Sequence, residues 1–137
     1  MELHRLYFDP ENCTGCKVCE LTCSMTKENA FAPILSRIKI VLPDEKAEIV
    51  AHVCHQCNPA ECMEACPEEA IQFHTGFGAV VIDPEKCSGC GECIDACPYD
   101  AIEMNEEADT AFKCDLCGGN PRCVEGCIYG ALTFGAA

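Results

Sequence analysis

The sequence predicts an α+β fold with short strands, short helices and little other regular structure, built as two copies of one unit. Three observations predict it. Sixteen of the 137 residues are cysteine, grouped in four quartets of similar spacing. The order of motifs in the first half of the chain returns in the second. Between the quartets lie brief β-branched and aromatic runs, each long enough for a short strand and no more.

The quartets are Cys13-Cys16-Cys19-Cys23, Cys54-Cys57-Cys62-Cys66, Cys87-Cys90-Cys93-Cys97 and Cys114-Cys117-Cys123-Cys127. The third reads C-x2-C-x2-C-x3-C-P, a run in which three thiolates hold one [4Fe–4S] cluster and the fourth serves another. Sixteen thiolates at four per cluster correspond to four [4Fe–4S] clusters, with iron held by these same sixteen cysteines and none to spare. Disulfides and zinc are the rivals. A disulfide scaffold belongs to an oxidising compartment, and the opening residues MELHRLYFDP carry no basic n-region followed by an apolar h-region. A cytoplasmic location is therefore expected. Zinc sites usually pair two knuckles across a longer spacer, whereas three closely spaced cysteines followed by x3-C-P suit a cubane.

Two internal matches define the repeat. Phe8-Asp9-Pro10-Glu11-Asn12-Cys13-Thr14-Gly15-Cys16 matches Ile82-Asp83-Pro84-Glu85-Lys86-Cys87-Ser88-Gly89-Cys90. Cys54-His55-Gln56-Cys57, with Cys62 and Cys66, matches Cys114-Asp115-Leu116-Cys117, with Cys123 and Cys127. A short apolar strand follows each of these, Ala70-Ile71-Gln72-Phe73 and Ala131-Leu132-Thr133-Phe134. The first copy carries extra sequence between Cys23 and Cys54.

In chain order, strands are expected at Leu3–Phe8, Arg37–Leu42, Ala47–Val53, Ile71–His74 and Ala79–Ile82. Pro43-Asp44-Glu45-Lys46 and Thr75-Gly76-Phe77-Gly78 read as the turns of two hairpins. Short helices should cross the last cysteines of each quartet, near Val18–Lys27, Ala60–Ala65, Glu92–Ala96 and Pro121–Cys127. The apolar core between such elements is too small to hold the fold alone, so metal ligation must contribute to folding.

Gly15, Gly89 and Gly91 allow backbone N–H groups to approach a cluster and donate to its sulfurs. Pro67 and Pro98 follow a fourth cysteine and end its helix by removing a donor. Ser24 and Ile128 stand in that place in the outer quartets, a departure from the pattern. His52 and His55 flank Cys54; histidine ligates iron in some clusters, but a complete thiolate set points to a supporting or surface role. No P-loop, dinucleotide glycine fingerprint or nucleophile elbow occurs, so no catalytic residue is expected.

The formal charge is −14, from 23 acidic and 9 basic side chains, and each cluster with its four thiolates adds about −2. Nucleic acid, which needs a basic surface, is excluded as a partner. No apolar run approaches the length of a membrane span, so no direct membrane insertion is expected. The acidity is uneven: residues 51–137 hold 15 acidic and 3 basic side chains, which would steer a basic partner.

Four quartets in this order resemble the four-cluster, ferredoxin-like electron-transfer subunits of molybdenum, tungsten and nickel oxidoreductases. Cys13-Thr14-Gly15-Cys16, Cys19-Glu20, Cys23-Ser24 and Ser36-Arg37-Ile38 look most similar to small subunits of tungsten aldehyde oxidoreductase or benzoyl-CoA reductase complexes. The resemblance implies two interleaved bacterial-type dicluster ferredoxin modules. Cys13, Cys16 and Cys19 would share a first cluster with Cys127, and Cys114, Cys117 and Cys123 a second with Cys23. Cys54, Cys57 and Cys62 would share a third with Cys97, and Cys87, Cys90 and Cys93 a fourth with Cys66. The outer module would comprise 1–50 and 111–137, with a hairpin insertion at 24–53, and the inner module 51–110. The implied role is a non-catalytic relay of single electrons between a tungsten, molybdenum or nickel subunit and a flavin subunit or soluble ferredoxin; the alternative is a free polyferredoxin diffusing between enzymes. In the insertion, Phe31-Ala32-Pro33-Ile34-Leu35 reads either as a docking tip or as a flap over the chain's own first cluster.

Overall fold

A computed structural model describes residues 3–43 and 48–136. Short elements dominate, as the brief apolar runs require. Strand β1 (His4–Phe8) leads into helix α1 (Val18–Glu28), then β2 (Lys39–Val41) and β3 (Val50–His52). Helix α2 (Glu61–Ala65), strands β4 (Ile71–His74) and β5 (Ala79–Ile82) and helix α3 (Glu92–Ala96) follow. The chain continues through β6 (Glu103–Asn105), β7 (Thr110–Phe112), α4 (Arg122–Gly126) and β8 (Leu132–Ala136).

The strands form four antiparallel pairs, and their pairing nests. β2 pairs with β3, β4 with β5 and β6 with β7, each with its neighbour in sequence. β1 instead pairs with β8, with Leu6 opposite Phe134 and Phe8 opposite Leu132. The helices follow the same plan, α1 packing on α4 and α2 on α3. Elements from the two ends of the chain thus enclose those from the middle, as expected of two ferredoxin-like dicluster modules.

Two apolar cores result. One gathers Leu6, Ile38, Ile40, Val53, Leu116 and Leu132 with four buried cysteines. The other joins Ala60, Ile71, Val80, Ile102 and Ala111 around Cys93. Cysteines belong to both cores, so the apolar packing is built directly against the thiol groups.

All four expected helices form. α2 and α3 end at the residue before a cysteine that precedes proline. Where Ser24 replaces that proline, nothing stops the helix, and α1 runs on to a left-handed cap at Asn29. Where Ile128 replaces it, the turn survives, because a left-handed residue three positions past the cysteine sets it. Glu69, Asp100 and Gly130 all occupy that position with φ of 53°, 52° and 67°.

The strands expected at Arg37–Leu42 and Ala47–Val53 contract to β2 and β3, and the turn between them falls, from Asp44 to Lys46, outside the described residues. The β6–β7 hairpin was not expected, since Glu-Met-Asn before an acidic turn carries little strand propensity. It forms because Phe112 and Ala111 are buried. No helix among the described residues is long and apolar enough to cross a membrane.

The insertion divides into two parts. The hairpin folds back, placing Leu42 and Ile49 over Gly15, where a Cβ would come within 2.6 Å of Leu42 Cδ2. The tip stays out: Phe31 is 72% and Ile34 78% exposed. Leu42 and Ile49, rather than Phe31 and Ile34, thus cover the first C-x-x-C loop. The basic residues behind the tip are engaged internally. Arg37 pairs with Glu28 at 2.8 Å and lies over the Phe112 ring, and Lys39 pairs with Glu103 at 3.4 Å.

Candidate metal centres

Each C-x-x-C loop is built by one backbone device. Its third residue takes a left-handed conformation, with φ of 75° at Gly15, 50° at Gln56, 78° at Gly89 and 60° at Leu116. This turns the peptide N–H back toward the loop's first cysteine. Gly15 N donates to Cys13 Sγ at 3.4 Å, Gln56 N to Cys54 Sγ at 3.3 Å and Leu116 N to Cys114 Sγ at 3.4 Å. Other backbone donors come from further away: Arg37 N to Cys23 Sγ at 3.1 Å, Ala70 N to Cys66 Sγ and Ala111 N to Cys87 Sγ, both at 3.4 Å. Such bonds favour charge on the sulfur.

At Gly15 the left-handed turn directs the N–H to the Cys13 sulfur. Gly89 has a second reason to be glycine, because the carbonyl oxygen of Asp109 occupies the space its Cβ would need, at 2.4 Å. Gly91 has open space around it and serves as the left-handed residue before α3. Gln56 and Leu116 were not anticipated, since neither is glycine. They are 1% and 0% exposed, and packing holds them in the strained conformation. The Gln56 amide secures it further, with Oε1 accepting from Val80 N at 2.7 Å and Nε2 donating to the Cys114 carbonyl at 3.0 Å.

All sixteen cysteines are free thiols. Cys54, Cys57, Cys62 and Cys97 line one cavity of about 210 Å³. Cys66, Cys87, Cys90 and Cys93 line another cleft. Among the described residues, no three His, Cys, Asp or Glu side chains converge tightly enough to hold a single metal ion. The inner thiols line recesses and do not converge on a single point. Donor type, cavities and aimed N–H groups all suit [4Fe–4S] clusters.

The thiols also influence one another across the chain. Burial pushes Cys19 up to about 12, with Glu20, Cys13 and Cys127 adding to the rise. Burial raises Cys57, and Cys62 to about 11, with Cys54 and Cys97 acting on both. Cys93 is pushed up to about 11 by burial, then by Cys62, Cys87, Cys66 and Cys90. Cys114 rises to about 12 through burial, with Cys54 and Cys23 contributing. Cys123 is raised by burial and by Cys114, Cys23, Cys117 and Cys19. Cys127 runs the other way: burial raises it, but N–H groups of Ala131, Leu132, Tyr129 and Gly130 outweigh that and lower it. Iron must therefore displace protons from most of these thiols as it binds.

Comparison with known proteins agrees with this geometry. Residues 45–137 match the model of the 4Fe-4S dicluster domain, and residues 10–26 that of a 4Fe-4S binding domain. The chain belongs to the 4Fe-4S dicluster family. This dicluster protein is 42% identical over 120 residues to the polyferredoxin-like subunit of aliphatic sulfonate oxidoreductase from Pyrococcus furiosus, covering 86% of this chain and 68% of the relative. It is 35% identical over 127 residues to the beta subunit of NADH-dependent phenylglyoxylate dehydrogenase from Aromatoleum evansii, covering 91% of the dicluster chain but 28% of that subunit. A chain in the BamBC active site complex of benzoyl coenzyme A reductase shares the fold, with a TM-score of 0.60 and 24% identity over 100% of this chain and 81% of that one.

The histidines take supporting places in the dicluster protein. His55 stacks on Tyr99 with ring centroids 3.7 Å apart, and its Nδ1 lies 3.2 Å from Arg5 Nη2. Burial, then Arg5, lowers its pKa. His52 Nδ1 lies 3.2 Å from the Tyr99 carbonyl oxygen. Lys113, like Gln56 and Leu116, carries no signal in the sequence. It is 5% exposed, and its Nζ donates to Cys54 Sγ at 3.2 Å and to the Cys114 carbonyl at 3.0 Å.

Proposed function

We propose that this chain is the iron–sulfur electron-transfer subunit of an oxidoreductase complex, carrying four [4Fe–4S] clusters. Cys13, Cys16, Cys19 and Cys127 hold the first, and Cys114, Cys117, Cys123 and Cys23 the second. Cys54, Cys57, Cys62 and Cys97 hold the third, and Cys87, Cys90, Cys93 and Cys66 the fourth. The mutual influence of thiols within each of these sets supports the assignment. The outer module is then 1–50 with 111–137, and the inner module 51–110. A [4Fe–4S] cluster supplies reversible one-electron chemistry.

One observation carries the functional reading. Electrostatic influence between sets runs from the first to the fourth: Cys19 acts on Cys123, Cys54 on Cys114 and Cys62 on Cys93. The first and fourth sets stand at the two ends of that order, and each contains an exposed cysteine, Cys16 and Cys90. The middle sets contain Cys23, Cys54, Cys114 and Cys123, all buried. A line buried at its centre and open at both ends suits passage from one partner to another.

The partner at one end is a catalytic subunit of the tungsten or molybdenum type, with nickel the remaining metal, and at the other a flavin subunit or a soluble carrier. The naming of the Pyrococcus and Aromatoleum relatives as subunits supports a complex over a freely diffusing polyferredoxin. The exposed Phe31 and Ile34 favour the same choice, because an apolar centre is what a protein interface needs. Anaerobic affinity purification with metal and flavin analysis tests the proposal. Tungsten, molybdenum or nickel should co-purify with the chain; recovery of the chain alone, fully loaded with iron, would favour the free carrier.

A further inference from the structure

The cysteine sulfurs are not treated alike. The sulfurs of Cys13, Cys23, Cys66, Cys87 and Cys114 accept from backbone N–H groups, whereas Cys54 also accepts from a side-chain ammonium. Lys113 is the one buried basic residue among those described. It reaches Cys54 across 59 positions of sequence, and the Cys114 carbonyl fixes its head from the other side. Gln56 donates to that same carbonyl. Lys113 and Gln56 therefore bridge the third cysteine set to the second at the place where the two meet.

A second cation stands nearby, since Arg5 acts electrostatically on Cys57. The first set has the opposite charge beside it. Glu20, 6% exposed, follows Cys19 directly and accepts from Ile40 N at 3.1 Å. Four otherwise similar thiolate sets are thus embedded in unequal fields.

We infer that Lys113 is a tuning residue that raises the reduction potential of the cluster held by Cys54, Cys57, Cys62 and Cys97, so that an electron rests there rather than spreading evenly along the line. The physical reason is charge. Reduction adds one negative charge to an already anionic group, and a cation hydrogen-bonded to a ligating sulfur stabilises the reduced form more than the oxidised one. In a water-poor surround that difference is poorly screened. No bond forms or breaks and no proton is required; the electron comes from a low-potential one-electron donor such as dithionite. The inference rests on the proposed cluster assignment.

The test is an EPR-monitored redox titration of the reconstituted full chain, with iron measured on the same samples. Lys113→Met removes the ammonium and keeps the stem, while Lys113→Arg keeps the charge. With native iron content, Lys113→Met should lower one reduction step by at least tenfold in its one-electron equilibrium, about 59 mV, and Lys113→Arg should leave it near the native value. Superimposable titrations of native and Met forms at full iron overturn the inference. Should the Met form lose iron, Lys113→Gln replaces it; a lowered step in Gln but not Arg supports tuning, and equal steps overturn it. Iron loss in both neutral variants makes Lys113 a folding residue and also overturns it. Failure of the underlying assignment shows separately, as fewer than four reduction steps in the native chain.

Discussion

The carbonyl oxygen of Asp109 sits where a Cβ on Gly89 would project, 2.4 Å from the ideal position. The acidic turn between β6 and β7 is thereby seated directly on the third C-x-x-C loop. Gly89→Ala must push that backbone away and also hold alanine at φ near 78°. A loss of about 3 kcal/mol follows, from roughly 1–2 for the left-handed backbone and 1–3 for overpacking. Gly91→Ala has the same φ but open space around it, so it should lose only about 1 kcal/mol. Anaerobic denaturant titration of the two variants measures the difference, and equal losses would rule out the contact as the cause.

Iron and acid-labile sulfide should each be found at about sixteen per chain after anaerobic reconstitution. A value near eight would leave two thiol sets without clusters and defeat the four-cluster reading.

Cys66→Ala should disturb the cluster of Cys87, Cys90 and Cys93 and spare that of Cys54, Cys57 and Cys62. The cleft shared by Cys66 with the third quartet motivates this. Mössbauer or EPR comparison with Cys97→Ala, which should affect the other inner cluster, distinguishes them. Loss of the cluster of Cys54, Cys57 and Cys62 in Cys66→Ala, and of the other inner cluster in Cys97→Ala, would show that the quartets are not exchanged.

Ile34→Asp should weaken co-purification with the proposed catalytic partner by about tenfold, the roughly 1.4 kcal/mol of a modest interface residue, at unchanged iron content. The exposure of Ile34 makes a folding effect small. If the variant instead sheds iron and still binds its partner, the tip belongs to the chain's own packing.

Stripping iron with a chelator under reducing, anaerobic conditions should abolish the cooperative thermal transition seen by far-UV circular dichroism. Cysteines make up part of both cores, and their burial as uncoupled thiols leaves elements that, α1 apart, span only three to five residues with little else to hold them. A metal-free chain that melts at the holo temperature would contradict this.

Much of the architecture could be read from the residues, because cysteine spacing and turn residues are local signals. The four helices, β4 and β5 emerge where the sequence puts them, and α1 overruns its cysteine for want of a proline. What escaped detection is non-local. Gln56 and Leu116 adopt a conformation normally marked by glycine, and only their complete burial explains how. Lys113 looks like one more surface lysine until the fold brings Cys54 to it. The β6–β7 hairpin is held by burial of Ala111 and Phe112 rather than by its own propensity. The pairing of Arg37 with Glu28 and of Lys39 with Glu103 is non-local in the same way.

The pairing of β1 with β8 also sets a timetable. A ribosome releases His4–Phe8 early and Leu132–Ala136 late, a delay of roughly ten seconds at ordinary translation rates. During that interval β4–β5 and β6–β7 can close on themselves, but β1 has no strand to join and Cys13, Cys16 and Cys19 have not yet met Cys127. Maturation should run from the middle of the molecule outward. The nascent amino-terminal thiols are then the ones most in need of protection from oxygen.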